Sequence, residues 1–485
     1  MFITLLVSLY TSRVVLDVLG VEDYGIYGIA GSIIVLFSFL SNALTGSSQR
    51  FFSYELGQQR SNITQLKQTF SVSLISHVLI ALVILLLCES IGLWYFKNYL
   101  VIPEERIYAA TVTYHLSVLT FIVNVIRIPY NALIISHEKM GFFAYLSIVE
   151  VVMKLLIVFL LKVTSLDKLI MYAILMLGIA VLCTVIYMFF SVIQFKECTF
   201  ELNWNSKIFK RLMSYTGWSF CVNMANVTTQ QGGNLLLNKF FGVLINASYT
   251  LATQVSGIIY SFVTNFQMAF RPQIVKLYAS GSYSDLWDLV IKSSRISFYL
   301  LLMLAVPCVV NAEYVFSIWL TQIPEYSVTF SKLIIFYCIV DAIQAPLWMV
   351  IEATGRIKAY SIWLTAILIF NLPLAYIILR KGGSPSTFLI IRLAINVITA
   401  IIRTIYMKYF IAFPSGQYIK ATIRCFIIFI VALGISYAGK YCLNNITDHQ
   451  IWSAIFSLIF TLALICGYGL RKDERKSLVK LFFKK

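Results

Sequence analysis

Apolar and polar positions along this chain alternate on the scale of whole helices. Fourteen apolar segments stand at residues 1–19, 26–46, 69–95, 107–135, 143–161, 168–194, 215–238, 247–268, 287–311, 328–351, 360–380, 386–407, 421–439 and 451–470, joined by short polar connections. An apolar helix of about 20 residues crosses the ~30 Å hydrocarbon layer and satisfies its own backbone polar groups there. The pattern predicts an all-α membrane protein with about 14 transmembrane helices. The first segment begins at Met1 with no basic leader, and no small-residue cleavage site follows it. It reads as a span with a trimmed N-terminal turn, not as a signal peptide.

Composition agrees: 60% of the residues are hydrophobic and 12% are charged. The positions of the basic residues then set the orientation. With the connection after the second span taken as cytoplasmic, the cytoplasmic connections and the C-terminal tail hold 21 of the 38 Lys+Arg and the opposite connections 6. The other 11 lie within the spans as bounded above, several of them near span ends. By the positive-inside rule both termini are expected in the cytoplasm. The net charge of +17 is then topology and contact with anionic lipids, and no nucleic-acid partner is expected. No connection is long enough for a nucleotide-binding domain, and no G-x-x-x-x-G-K-[ST] run occurs. An ATP-driven pump within this chain is excluded. The nine Cys are scattered without a C-x-x-C and the four His are widely spread, so neither a disulfide framework nor a metal site is implied.

The chain also repeats itself. Leu19-Gly20-Val21, followed by Tyr27 and Ala30, recurs 222 residues later as Phe241-Gly242-Val243, followed by Tyr249 and Ala252. Ile128-Pro129 before Ala144-Tyr145 recurs as Ala345-Pro346 before Ala359-Tyr360, with the offset drifting from 217 to 215. A duplicated unit of six spans, an even number, enters the membrane twice in the same sense. Such parallel repeats place the substrate path between the halves. The expected organisation is a six-helix bundle at 1–194, a second at 215–407, two added spans at 421–470 and a basic cytoplasmic tail at 471–485.

Polar stripes mark where that path would run. In span seven Thr216, Ser219, Asn223, Asn226, Gln230, Asn234 and Asn238 share a helix face. In span eight Thr250, Thr253, Gly257, Tyr260, Thr264 and Gln267 do the same, and Gly28, Gly31, Val35, Ser38, Asn42 and Thr45 echo them in span two. Such faces are unfavourable against lipid and turn toward protein or water. Ordinary helix packing explains one stripe; matching stripes in equivalent spans favour a hydrated cavity. Charges inside the spans cost about 2.5 kcal/mol or more each at a helix centre and are functional candidates by default. The candidates singled out among them are the i,i+4 pairs Arg13/Asp17 and Glu150/Lys154, and the single residues Arg127, Asp341 and Arg392. Arg50 and Arg271, closing spans two and eight, read as cytoplasmic anchors.

Ser8-Leu9-Tyr10-Thr11-Ser12-Arg13-Val14-Val15-Leu16, then Leu19-Gly20-Val21-Glu22-Asp23-Tyr24-Gly25-Ile26-Tyr27, resembles the opening of the Wzx-type flippases of bacterial polysaccharide biosynthesis. The Ser48-Gln49-Arg50-Phe51 turn and the Pro129…Lys139 and Pro346…Gly355-Arg356…Lys358 segments resemble the same family. The resemblance runs over essentially the whole chain and carries no catalytic signature. It implies the multidrug/oligosaccharidyl-lipid/polysaccharide exporter fold, two six-helix bundles in a V that open alternately. It also implies translocation of an undecaprenyl-pyrophosphate-linked oligosaccharide, an O-antigen, capsule or exopolysaccharide repeat unit, across the inner membrane. A polysaccharide polymerase and glycosyltransferases are then the expected functional partners. Arg13 matches the cationic span-one residue that meets pyrophosphate in related lipid flippases; cationic partners on spans two and eight are not evident.

The residues suit that role. Arg13 offers a bidentate fork to phosphate, with Arg127 and Arg392 as further cationic contacts. The amides Asn223, Asn226, Gln230 and Asn234 suit sugar hydroxyls. Asp17, Glu150, Lys154 and Asp341 are the charge-pairing or ion-coupling candidates. No cofactor is expected beyond a proton or sodium gradient, and no enzymatic activity. Two alternatives stand beside this reading. An ion-coupled multidrug exporter of the same fold predicts an acidic cavity, and a polysaccharide polymerase or ligase needs a large external loop.

Overall fold

The computed structural model describes residues 37–58, 63–99, 103–163, 166–199, 205–320, 323–443, 449–471 and 474–475, together with 7, 11, 14–15, 17–20, 22–23 and 26–27. The described chain is helical from end to end. In order it forms α1 (Ser38–Gly57), α2 (Ile63–Leu87), α3 (Leu93–Tyr99), α4 (Ile107–Ser136), α5 (Met140–Val163), α6 (Lys168–Gln194) and α7 (Ser206–Ser280). Then follow α8 (Tyr283–Val310), α9 (Ala312–Trp319), α10 (Ser327–Thr354), α11 (Lys358–Arg380), α12 (Thr387–Ile411), α13 (Ser415–Leu443) and α14 (His449–Leu464). Among the described residues ten helical stretches are long and apolar enough to cross a membrane. The protein is a multi-pass α-helical membrane protein.

Those ten stretches coincide with the expected third to sixth and ninth to fourteenth spans. Most of the first span and the apolar half of the second lie outside the described residues. Spans seven and eight are the two arms of α7, and their amides and hydroxyls keep them from the apolarity of the others.

The connections at 47–68 and 269–286 are a correction, since their described residues are largely helix, and helix also occupies 206–214 of the connection at 195–214. Alpha-helix runs to Gly57, resumes at Ile63, begins again at Ser206 and continues to Ser280. Hydropathy marks where a helix meets hydrocarbon, whereas capping marks where it ends. Asn205 accepts from the backbone N–H groups of Lys207 and Ile208 at 3.1 and 3.3 Å, and left-handed Gly281 closes the far end. The separate loop expected between spans seven and eight reduces to one residue, Gly242, whose φ of 80° breaks the helix.

The repeat is visible in the backbone. Gly20 and Gly242, 222 residues apart, share a φ of 80°. Glu138 and Gly355, at the second offset of 217, follow α4 and α10 with φ of 60° and 71°. Both helices carry a proline inside, Pro129 and Pro346. A helix-interior proline frees the carbonyl four residues before it. For Pro346 that carbonyl belongs to Ala342, and Gln267 Nε2 donates to it at 3.2 Å. The neighbouring carbonyls of Ile343 and Gln344 accept from Tyr418 Oη at 2.9 Å and Arg403 Nη1 at 3.3 Å. Polar side chains from α7, α12 and α13 thereby hold the proline-containing part of α10.

The chain divides into two compact units. One comprises residues 1–224, 275–281 and 352–361; the other comprises 225–274, 282–351 and 362–485. In the first, Phe52, Phe70, Tyr130 and Leu133 build a core beneath α1, α2 and α4, while Tyr114 and Phe96 anchor another. In the second, Tyr249, Phe298, Leu302, Phe330, Phe388 and Phe429 form one continuous core.

Candidate functional site

The amide face of span seven is the first test of the predicted cavity lining. Asn226 and Gln230 are exposed, while Asn223 and Asn234 are half-buried. Asn223 Nδ2 donates to the Ser219 carbonyl at 2.8 Å, and Asn234 Nδ2 to Gln231 Oε1 at 3.2 Å. Other residues of the same arm are buried against its neighbours: Thr229 donates to the Leu368 carbonyl at 3.1 Å, and Gly232 and Gly233 admit Leu372 and Phe388. The exposed Gln230 amide can serve an external hydrogen-bonding ligand.

In the first unit the structure gathers three of the predicted charges. Glu150 accepts from Lys154 Nζ at 2.8 Å and from Arg127 Nη1 at 3.3 Å, while the Arg127 guanidinium lies 5.4 Å from the Tyr187 ring centroid. Glu150 and Lys154 thus form the expected one-turn pair, and α4 supplies a cation that spacing could not reveal. One carboxylate between two cations leaves the cluster cationic. Arg13 lies outside the described residues; Asp17 is exposed.

The second unit treats its charges differently. Asp341 accepts a short hydrogen bond from the Tyr260 hydroxyl. Arg392 lies 4.6 Å over the Tyr337 ring and donates to Tyr249 Oη at 3.3 Å. Phenols therefore stand between the two predicted charges. Below them, Gln344 Nε2 donates to Asn396 Oδ1 at 2.6 Å, and Asn396 Nδ2 to the Tyr337 carbonyl at 3.1 Å.

A further feature was not singled out from the sequence. A cavity of about 530 Å³ in the first unit is walled by the end of α1, the beginning of α7 and the turn from α10 to α11. Five basic residues, Arg50, Lys210, Arg211, Arg356 and Lys358, face one acidic residue, Glu55. Arg50 is 8% exposed. Its Nη2 donates to the Ala353 carbonyl at 3.1 Å, and its guanidinium lies 4.6 Å from the Tyr54 ring and 4.8 Å from that of Phe51. A Cβ on Gly355 would stand 2.4 Å from Arg50 Nη2, and the φ of 71° there also favours glycine. Burial raises the Glu55 carboxyl above its ordinary value, although a hydrogen bond from Gln65 and the charges of Arg50 and Arg211 act against it. Arg50 is therefore more than the anchor its position suggested. The signal was present in the two motif segments, Ser48-Gln49-Arg50-Phe51 and Gly355-Arg356…Lys358; their meeting in space was not.

No protein-family model and no curated protein sequence matches the chain. Solved structures do. One described as an outward-facing conformation of a multidrug resistance MATE family transporter of the MOP superfamily superposes with a TM-score of 0.70 at 13% identity, over 84% of this chain and 92% of that one. Another, MATE in the straight conformation, gives 0.69 at 14%, over 87% and 94%. A MOP superfamily transporter from Pyrococcus furiosus, described as having a binding pocket of reversed polarity that suggests a different function, gives 0.66 at 14%, over 84% and 92%. The chain has the fold of these transporters across most of its length.

Proposed function

We propose that this protein is a transporter that flips a lipid-linked oligosaccharide, carried on undecaprenyl pyrophosphate, across the bacterial inner membrane. The carrying observation is the sign of the charge held within the first unit: Glu150 is outnumbered by Arg127 and Lys154. A pyrophosphate and several sugars cannot cross hydrocarbon bare. They need cations for the phosphates and hydrogen-bonding walls for the hydroxyls. The exposed amides Asn226 and Gln230 supply such a wall, and Arg13 is the span-one cation that the family resemblance assigns to the pyrophosphate. The lipid tail stays in the bilayer.

The fold is shared with proteins described as multidrug transporters, and one observation favours that class. Asp341, beside Tyr260 and Tyr337, is a carboxylate among aromatic rings, suited to an organic cation. Arg392 over the same Tyr337 ring weakens that use. In the flippase reading Asp341 or Glu150 carries a coupling proton or sodium ion, both termini are cytoplasmic, and a polymerase and glycosyltransferases act beside the transporter.

The test is in the producing cell. Removing the protein should abolish the surface polysaccharide and accumulate its lipid-linked repeat unit on the cytoplasmic leaflet, and a plasmid copy should reverse both. Unchanged polysaccharide with a new sensitivity to organic cations would favour the multidrug reading instead.

A further inference from the structure

We propose that the basic cavity formed by Arg50, Lys210, Arg211, Arg356 and Lys358 binds the pyrophosphate of a lipid headgroup at the cytoplasmic side. Its three walls are the segments that the basic bias places there: the end of α1, the start of α7 and the turn between α10 and α11. Naming a lipid as the source of the pyrophosphate rests on the flippase reading; the anion site itself does not.

Charge selects the ligand class. Five cations against Glu55 leave four positive charges facing one space. The pyrophosphate diester of a lipid-linked sugar brings two negative charges, while a phospholipid such as phosphatidylglycerol brings one. Two adjacent phosphoryl groups can also engage several cations at once, and guanidinium forks give planar, paired hydrogen bonds to phosphate oxygens.

The cavity is built, not a chance spread of surface lysines. Arg50 is 8% exposed and clasped between Phe51 and Tyr54, and its Nε is buried without a hydrogen-bond partner among the described residues. A buried guanidinium with an unmet donor is costly unless something else meets it. The Phe51, Tyr54, Tyr215 and Trp218 side chains line the same space, with Lys358 Nζ 5.6 Å from the Trp218 ring. Apolar walls lower the local dielectric and strengthen each ionic contact. Ile357 and Lys358 also place the start of α11 at the cavity, and the first N–H groups of a 23-residue helix have no intrahelical acceptor. Gly355 keeps the opposite wall from closing on Arg50, because a side chain there would displace the guanidinium.

This site differs from the expected Arg13 contact. On the expected topology it lies where the helices leave the membrane, so it would capture the headgroup before the translocation path takes it up. Capture at a basic mouth raises the local concentration of an anionic substrate.

The experiment is equilibrium binding of a fluorescent polyprenyl pyrophosphate to the purified full-length chain in detergent, with inorganic pyrophosphate and phosphatidylglycerol as competitors. The double variant Arg356→Gln/Lys358→Gln removes two exposed cavity cations without touching the core. Lys196→Gln/Lys207→Gln removes two exposed cations outside the cavity. The proposal expects binding that inorganic pyrophosphate displaces and phosphatidylglycerol does not. It also expects affinity about tenfold weaker in the cavity double variant, the loss of a charge-assisted hydrogen bond, and no change in the control pair. Equal affinity in wild type and cavity variant overturns it, as does equal weakening by the control pair or equal displacement by phosphatidylglycerol. Binding of inorganic pyrophosphate alone would assign the cavity to a free polyphosphate and overturn the lipid headgroup. If the cavity binds as expected but reconstituted protein moves no lipid-linked oligosaccharide, the transport reading fails while the site stands. Transport with binding indifferent to the cavity variants is the reverse.

Discussion

In the first unit Glu150 is held by two cations, Lys154 at 2.8 Å and Arg127 at 3.3 Å. In the second, Asp341 is held by a phenol, Tyr260, and Arg392 is spread over the ring of Tyr337. The two units share backbone features at the repeat offsets, the left-handed residues Gly20 and Gly242 and the prolines of α4 and α10. Helix breaks and kinks are set by glycine and proline, so they survive duplication wherever those residues do. Side chains facing one another across helices carry no such constraint: the repeat equivalents of Glu150 and Lys154 are Thr365 and Ile369 on α11, and the second unit holds its carboxylate elsewhere, at Asp341 on α10.

The largest effect that breaks this comparison is expected at Glu150. Glu150→Leu leaves two half-buried cations without their carboxylate, a loss of about 3 kcal/mol, read as a lower melting temperature of the detergent-solubilised protein. Glu150→Gln keeps the shape and should insert normally while transporting more slowly. Normal transport would assign the cluster to folding.

Phenylalanine substitutions sharpen the contrast. Tyr260→Phe removes the donor to Asp341 and should cost about 1–3 kcal/mol. Tyr187→Phe keeps the ring beneath Arg127, and since the contact is made by the ring the change should be below about 0.5 kcal/mol. Equal melting shifts would contradict the assigned roles. A smaller loss, about 1 kcal/mol, is expected for Gln267→Leu, which strips the Ala342 carbonyl of the donor that replaces the missing Pro346 N–H.

What the sequence revealed and what it hid divide along the same line. Apolar length exposed the spans, because the bilayer reads composition over about 20 residues. The repeat was legible because Gly20, Gly242, Pro129 and Pro346 are fixed by backbone need. The Glu150–Lys154 pair was legible from one-turn spacing. Arg127 as its third member was not, since α4 and α5 meet only in three dimensions. Nor was the basic cavity, whose walls are separated by about 160 and 140 residues of chain. The helices reaching into the polar connections escaped because hydropathy falls at the membrane surface while hydrogen bonding continues to the cap.

The smallest expected effect lies outside the apolar spans. Glu197 accepts from His137, whose ring stacks on Phe195 at 4.2 Å. Burial opposes the charged carboxylate, but the His137 hydrogen bond and a backbone N–H outweigh it, holding Glu197 below its ordinary value of 4.5. A depressed carboxylate contributes stability above its unfolded value and loses it as pH falls through the folded one. Between about pH 6 and about pH 3.5 the wild type should therefore lose more melting temperature than Glu197→Gln. Parallel curves would remove the pair from the stability of this connection.

The central claim is tested most directly by leaflet translocation in vesicles containing the purified full-length protein. A polyprenyl-pyrophosphate-linked oligosaccharide and a fluorescent organic cation are supplied in parallel, with Arg13→Ala measured at matched protein level. The account predicts that wild type moves the lipid-linked oligosaccharide and not the cation, and that Arg13→Ala is nearly inactive. Movement of the cation, with the lipid-linked oligosaccharide left in its original leaflet, would contradict it.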